Sequence, residues 1–158
     1  MIIRELRADE YHLLKEFTYH AIFIRDGEPP APLTVLDDPH IKVFYENFGK
    51  SDDNAIAAFI NGEPVGAVWT RIIDGEVKGF GNIDSTTPEF GISLLKEYRG
   101  LGIGTKLMQA MLELLRQKGY KRTSLAVQKD NYAVKMYQNV GLVIIEELDE
   151  EYLMVCEL

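Results

Sequence analysis

Apolar positions recur along this chain in two periods, and the switches between them lay out the elements. Ile2-Ile3-Arg4-Glu5-Leu6 reads as a first strand. Asp9 is placed to cap a helix. Leu13, Leu14, Phe17, Ala21 and Ile24 then return at helical spacing and predict a helix to about residue 24. Arg25-Asp-Gly-Glu-Pro-Pro-Ala-Pro32 breaks regular structure, because proline removes a donor and restricts the residue before it. A second helix is expected after Asp38-Pro39, carrying Ile41, Phe44, Tyr45 and Phe48 and ending at Gly49. From residue 54 the period shortens to that of strands. Ala55–Ile60 and Pro64–Ile73 flank Asn61-Gly62, a strong hairpin signal. Residues 74–86, with Asp74-Gly75, Gly79, Gly81 and Asp84-Ser-Thr, read as a loop with some short pairing. Glu89–Leu95 is again strand-like.

Residues 99–104, Arg-Gly-Leu-Gly-Ile-Gly, join that strand to a strongly periodic helix beginning near Thr105. Leu107, Met108, Met111, Leu112, Leu114 and Leu115 form its broad apolar stripe, and Gly119 closes it. Thr123–Val127 is a short strand. Asp130 or Asn131 caps a further helix through Asn139, and Gly141 ends it. Leu142–Leu148 and Glu151–Glu157 read as two closing strands. Paired strands followed by strand–helix alternation predict a mixed α/β sheet.

The glycine turn is the first candidate site. Glycines at a strand-to-helix junction let the backbone approach a ligand, and the helix start offers unpartnered N–H groups and a partial positive charge. That combination suits a phosphate. A tight turn relieving crowding is the alternative reading of the same residues.

Composition narrows the field. The 158 residues suit one domain, residues 1–158, with its own core. Seventeen Lys+Arg against 25 Asp+Glu give a net charge of −8, which opposes a nucleic-acid partner. One cysteine, Cys156, cannot form an internal disulfide and is expected to be a small buried hydrophobe. No apolar run is long enough to span a bilayer, and the N-terminus lacks the pattern of a signal peptide, so a cytoplasmic protein without a membrane partner is expected. His12, His20 and His40 show no metal-ligand spacing, and no metal is proposed.

Two familiar phosphate motifs fit the turn poorly. A P-loop requires G-x-x-x-x-G-K-[ST], whereas Gly104 is followed by Thr105-Lys106 in reverse order. A Rossmann turn lies early in its βαβ unit with an acid some 20 residues on; here Lys118-Gly-Tyr-Lys-Arg122 stands in that place. Residues 99–104 instead resemble the R/Q-x-x-G-x-G/A signature of the GNAT superfamily, the acyl-CoA-dependent N-acetyltransferases. Residues 131–142, Asn-Tyr-Ala-Val-Lys-Met-Tyr-Gln-Asn-Val-Gly-Leu, are similar to that family's second motif, N-x-A-x-x-[LM]-Y-x-x-x-G-F, with Leu142 in place of its phenylalanine. The element order matches as well, so the resemblance covers essentially the whole chain.

The resemblance implies a mostly antiparallel sheet of six to seven strands with a central V-shaped splay, flanked by about four helices. It implies acetyl-CoA as co-substrate and an amine acceptor, and it is compatible with a homodimer. The CoA pyrophosphate would fall to the backbone of Arg99, Gly100, Leu101, Gly102, Ile103, Gly104 and Thr105, and the pantetheine arm to Ile92 and Leu94. Asn131 matches a cofactor contact. Tyr137 occupies the place of the general acid, which would protonate the departing thiolate. Glu89 is the nearest candidate for the general base, with Asp84 second. The acceptor would be bound by Glu28–Tyr45 with help from Trp69 and Arg71; Glu28, Asp37 and Asp38 are candidate partners for an ammonium group. A CoA-binding sensor without catalysis, or an acyltransferase using another acyl-CoA or acceptor, is the alternative.

Overall fold

The computed structural model describes residues 1–158. Seven strands form one sheet: β1 (Ile2–Glu5), β2 (Asn54–Ile60), β3 (Glu63–Arg71), β4 (Glu89–Leu94), β5 (Arg122–Gln128), β6 (Val143–Glu147) and β7 (Glu151–Glu157). Four α-helices accompany them: α1 (Leu13–Ala21), α2 (Pro39–Lys42), α3 (Ile103–Gln117) and α4 (Ala133–Asn139). The strand order is β1-β2-β3-β4-β5-β7-β6. Every neighbouring pair is antiparallel except β4–β5, which runs parallel. The mixed, mostly antiparallel sheet expected from the sequence is therefore the sheet observed.

Local chemistry accounts for most element boundaries. Asn61 (φ 53°) and Gly62 (φ 80°) both adopt the left-handed conformation that a tight β2–β3 hairpin requires. α3 presents Ile103, Leu107, Met108, Met111, Leu112 and Leu115 as a buried stripe. That stripe joins Val68, Phe90, Leu125, Val127, Tyr137 and Met154 in the larger core, on one face of the sheet. α1 buries Leu14 and Phe17 against Ala55, Ala57, Ala67 and Trp69 on the other face. Cys156 is buried, as expected.

Two elements depart from the sequence reading. The first helix is shorter, being a 3₁₀ turn at Ala8–Glu10 and then α1, which stops at Ala21 because Ile22 turns extended (φ −69°, ψ 120°). The second helix covers only Pro39–Lys42, and the chain to Gly49 continues as irregular turns. Tertiary donors claim the carbonyls that a longer helix would use. Trp69 Nε1 donates to the Phe44 carbonyl at 3.0 Å, and Arg71 donates to those of Val43 (3.1 Å) and Glu46 (2.8 Å). Asn47 then takes a positive φ of 54°, which ends any helical continuation.

Candidate active site

β4 and β5 pair at a single position, Glu89 opposite Ser124, and part beyond it. This is the V-shaped splay. The Leu95 N–H donates to the Val65 carbonyl at 2.9 Å, and β4 continues in register with β3 through Leu94 opposite Gly66. Antiparallel ladders bond alternate residues, so Gly91, Ser93 and Leu95 face β3 with their backbone groups. Those of Ile92 and Leu94 face the gap. The Leu94 carbonyl accepts from Arg99 Nε at 3.2 Å, while no strand pairs with Ile92 on that side.

A cleft of about 380 Å³ fills the gap. Side chains alternate along a strand, so Glu89, Gly91 and Ser93 share one face and Phe90, Ile92 and Leu94 the other. The contacts identify the faces. Ser93 Oγ donates to the Phe17 carbonyl of α1 at 2.6 Å, and Phe90 packs in the α3 core together with Tyr137. Glu89 and Tyr137 thus belong to opposite faces of the sheet, and both line the one cleft.

Glu89 is 2% exposed. Its Oε2 accepts from the Gly81 N–H at 2.9 Å, whereas Oε1 is buried without a hydrogen-bond partner. Burial pushes its carboxyl from an ordinary 4.5 up to about 7, against the opposing effect of the Gly81 hydrogen bond. A buried carboxylate oxygen with no partner is costly, and such groups concentrate at sites of proton transfer. The loop before β4 encloses it. A Cβ at Gly79 would lie 1.7 Å from Glu89 Oε1, and one at Gly81 would lie 2.9 Å from the backbone of Leu125 and Ala126. Ser124 Oγ donates to the Gly81 carbonyl at 2.7 Å and fixes this cover to β5. The sequence reading treated Gly79 and Gly81 only as loop formers; their glycine-aromatic-glycine spacing around Phe80, just before a strand with an acidic start, was the available signal.

Tyr137 is buried on α4, and desolvation, with a smaller effect of the nearby Tyr132, raises its phenol well above the ordinary value. Asn131 lines the same cleft, and its Oδ1 accepts from the Ala133 N–H at 2.9 Å, so it also caps α4.

At the glycine turn, Gly100 (φ 76°) and Gly102 (φ 83°) are left-handed, and a Cβ on either would stand in open space. α3 begins at Ile103, two residues before the expected start, with Gly102 as its N-cap, no capping side chain and no acid in its first turn. The Lys106 N–H bonds to the Gly102 carbonyl at 3.3 Å, so the amides of Ile103, Gly104 and Thr105 precede the first helical bond. These open donors fit an anion. Two expectations change. The Arg99 N–H bonds to the Lys96 carbonyl at 3.3 Å, and its guanidinium reaches the carbonyls of Leu94 and His20. Arg99 therefore shapes the turn and offers no free amide. Gly104 is buried, and a Cβ there would make ordinary contacts with Met136 and Leu94, so it does not clear a path for a ligand.

The other candidates separate. Asp84 binds Arg122 at 2.7 Å, which together with the Thr86 N–H holds its carboxyl well below the usual range, and it does not line the cleft. Arg71 is buried against Asp53 at 3.0 Å and has a structural role in place of the expected acceptor contact. Asp38 caps α2 through the His40 N–H at 2.9 Å. Glu28 and Asp37 are exposed and outside the cleft. Trp69 does line it, as do Ile41 and Phe44 from the expected acceptor region and Phe80 from the loop.

Similarity to known proteins agrees with this geometry. The model of the family described as "Acetyltransferase (GNAT) family" matches residues 11–142. A mycothiol acetyltransferase of Corynebacterium aurimucosum is 41% identical over 66 residues, covering 39% of this chain and 22% of that protein. N-alpha-acetyltransferase 30 of Schizosaccharomyces pombe is 36% identical over 63 residues, covering 39% of this chain and 42% of its own length. The matched stretch thus spans well under two thirds of either relative. Among solved structures, the GNAT domain of S. lividans PAT has a TM-score of 0.69 at 17% identity, covering 99% of this chain and 89% of its own. The PaiA N-acetyltransferase from Thermoplasma acidophilum, in complex with coenzyme A, has a TM-score of 0.68 at 16% identity, covering 99% and 98%. At such identities these two likenesses speak for the fold. With the family model matching most of its length and the seven-stranded splayed sheet in place, the chain belongs to the GNAT acetyltransferase family.

Proposed function

We propose that this protein transfers the acetyl group of acetyl-CoA to a primary amine by direct attack. The observation that carries this reading is a buried carboxylate and a buried phenol, Glu89 and Tyr137, facing one gap in the sheet from opposite sides. The CoA complex of a structural neighbour and the N-acetyltransferase names of relatives support it.

Bound acetyl-CoA supplies a thioester carbonyl and a thiol leaving group. The amides of Leu101, Ile103, Gly104 and Thr105, with Gly100 and Gly102, hold the pyrophosphate at the positive end of α3. The backbone edge of β4, open at Ile92 and shared with Arg99 at the Leu94 carbonyl, pairs with the amides of the pantetheine arm, as an added strand would. Asn131 contributes a contact where α4 begins.

Glu89 takes the proton that the acceptor ammonium must lose before attack, directly or through one water. Its burial sets that proton affinity close to neutrality. The neutral amine then bonds to the thioester carbon as the carbon–sulfur bond breaks. Tyr137, kept protonated by its raised pKa, hydrogen-bonds the departing thiolate from the α3 face, while the second proton shed by the nitrogen ends on the sulfur. Most of the rate comes from holding the two reactants in one narrow gap.

Calorimetric titration with acetyl-CoA, followed by thiol-release assays on an amine panel, tests the reading. Saturable binding with amine-dependent thiol release is expected. Saturable binding with no release on any amine would favour a CoA-responsive sensor, and no binding at millimolar acetyl-CoA would remove the proposal.

A further inference from the structure

The cleft is not uniform. On the face that carries Glu89, its wall includes the end of α1 and the residues after it, Ile41 and Phe44 from the α2 region, Trp69 from β3, Phe80 from the loop, and Gly91 from β4. Phe44 and Phe80 stack with ring centroids 6.1 Å apart and planes 19° from parallel. Phe80 is nevertheless 50% exposed. An aromatic ring held by a stacking partner yet left half in water at the rim of a cleft has apolar surface available for a ligand. Trp69, only 1% exposed, packs against Gly91: a Cβ there would come within 2.5 Å of the indole, so the glycine lets the ring lie directly beneath the cleft. Its Nε1 is tied to the Phe44 carbonyl at 3.0 Å, which links floor and wall.

Charge on this wall is limited to Glu89. The cationic Arg25 and the acidic Glu151 also line the cleft. Arg25 is held by Asp130 at 2.6 Å and by Gln128 at the end of β5, whereas Glu151, opposite Gln128 on β7, has no ion-pair partner and stands four residues along β5 from the Ser124 that pairs with Glu89. A ligand entering among Ile41, Phe44 and Phe80 therefore meets one carboxylate at the reacting end and apolar rings along its body. A reacting ammonium can be met by Glu89 and by ring faces.

We propose that the acceptor is a primary amine carried on an aromatic or similarly flat apolar body, bound with its ring against Phe44 and Phe80, above the buried Trp69, and its nitrogen at Glu89. This rests on the acetyl-transfer reading for its chemistry. The ring pocket itself can be tested without turnover, because Trp69 is the chain's single tryptophan and its fluorescence responds to changes in the rings packed around it.

The probes are phenethylamine and spermidine, each used with the full chain in the presence of acetyl-CoA. Phenethylamine should change Trp69 fluorescence saturably and should release thiol with kcat/KM at least about tenfold above spermidine, the scale of burying one phenyl group. Phe80→Ala, on an exposed loop, should lower that preference by about tenfold. Thiol release with spermidine equal to or better than with phenethylamine would overturn the aromatic-acceptor inference and leave acetyl transfer standing. So would a preference untouched by Phe80→Ala. Saturable phenethylamine binding with no thiol release from any amine would keep the ring pocket and remove acetyl transfer. Neither binding nor release would overturn both.

Discussion

The two sides of the splay are built from different materials. On the α3 side, Tyr137 lines the gap beside the edge of β4, and beyond it the glycine turn and the first amides of α3 offer backbone donors alone. On the α1 side it is bordered by side chains brought from residues 41 to 91: rings, and one buried carboxylate under a glycine cover. Backbone donors can hold a constant group, such as a pyrophosphate, with no side chain involved. A variable partner needs side chains, because only they differ in shape and charge. On the proposed reading, the donor would be held by local backbone conformation and the acceptor by tertiary assembly.

Substitutions on the two sides should therefore fail differently. The largest effect is expected from Glu89→Gln, with kcat/KM reduced about 10²–10⁴-fold and acetyl-CoA affinity retained. The same change should stabilise the fold. Burial raises the folded-state pKa of Glu89 from 4.5 to about 7, so its protonated form favours folding below pH 4.5. That contribution is lost as pH rises through about 7. The variant is then expected to be more stable than the parent at pH 8, by up to about 3 kcal/mol and so with a higher unfolding temperature, and the gap should close towards pH 4.5. Differential scanning calorimetry at the two pH values checks the sign. A glutamine that lost activity and stability together at pH 8 would instead mark Glu89 as structural.

Tyr137→Phe comes next, with kcat lowered about 10²-fold under conditions where chemistry limits turnover and the calorimetric Kd for acetyl-CoA little changed. Gly102→Ala acts on the other side: forcing a Cβ into φ 83° at the mouth of the turn costs about 1–2 kcal/mol. Its Kd for acetyl-CoA should rise about tenfold by calorimetry, while kcat at saturation stays near the parent's. Equal losses of kcat and affinity in both variants would dissolve the distinction between the sides. Asp84→Asn should do least, leaving kcat/KM within about twofold in the thiol-release assay. Asp84 serves Arg122 away from the cleft, and an exposed ion pair contributes little.

The same division explains what could be read from the chain. The strands, the Asn61-Gly62 hairpin, the glycine turn and the α3 stripe are local patterns of period and backbone conformation, and each stands in the structure close to its expected place. The short α2 was illegible, because Trp69 and Arg71, some 25 residues away in sequence, take the carbonyls that would have continued it. Arg71 was misread for the same reason: an arginine on a strand looks available until Asp53 closes on it. The pairing of Phe44 with Phe80, and of Gly79 with Glu89, depends on a loop whose path no local pattern sets. Motif residues could be numbered from the sequence, whereas the walls they face could not.

Glu89, buried beneath Gly79 and Gly81, is the group proposed to take the proton from the acceptor. The pH dependence of kcat/KM at fixed, saturating acetyl-CoA tests it most directly, in parent and Glu89→Gln side by side, with an acceptor whose own ionisation is known. The parent rate should rise with pH through an ionisation near 7, as the carboxyl loses its proton, and that inflection should be missing from the residual rate of the variant. The same inflection in both proteins would assign it to another group and contradict the account.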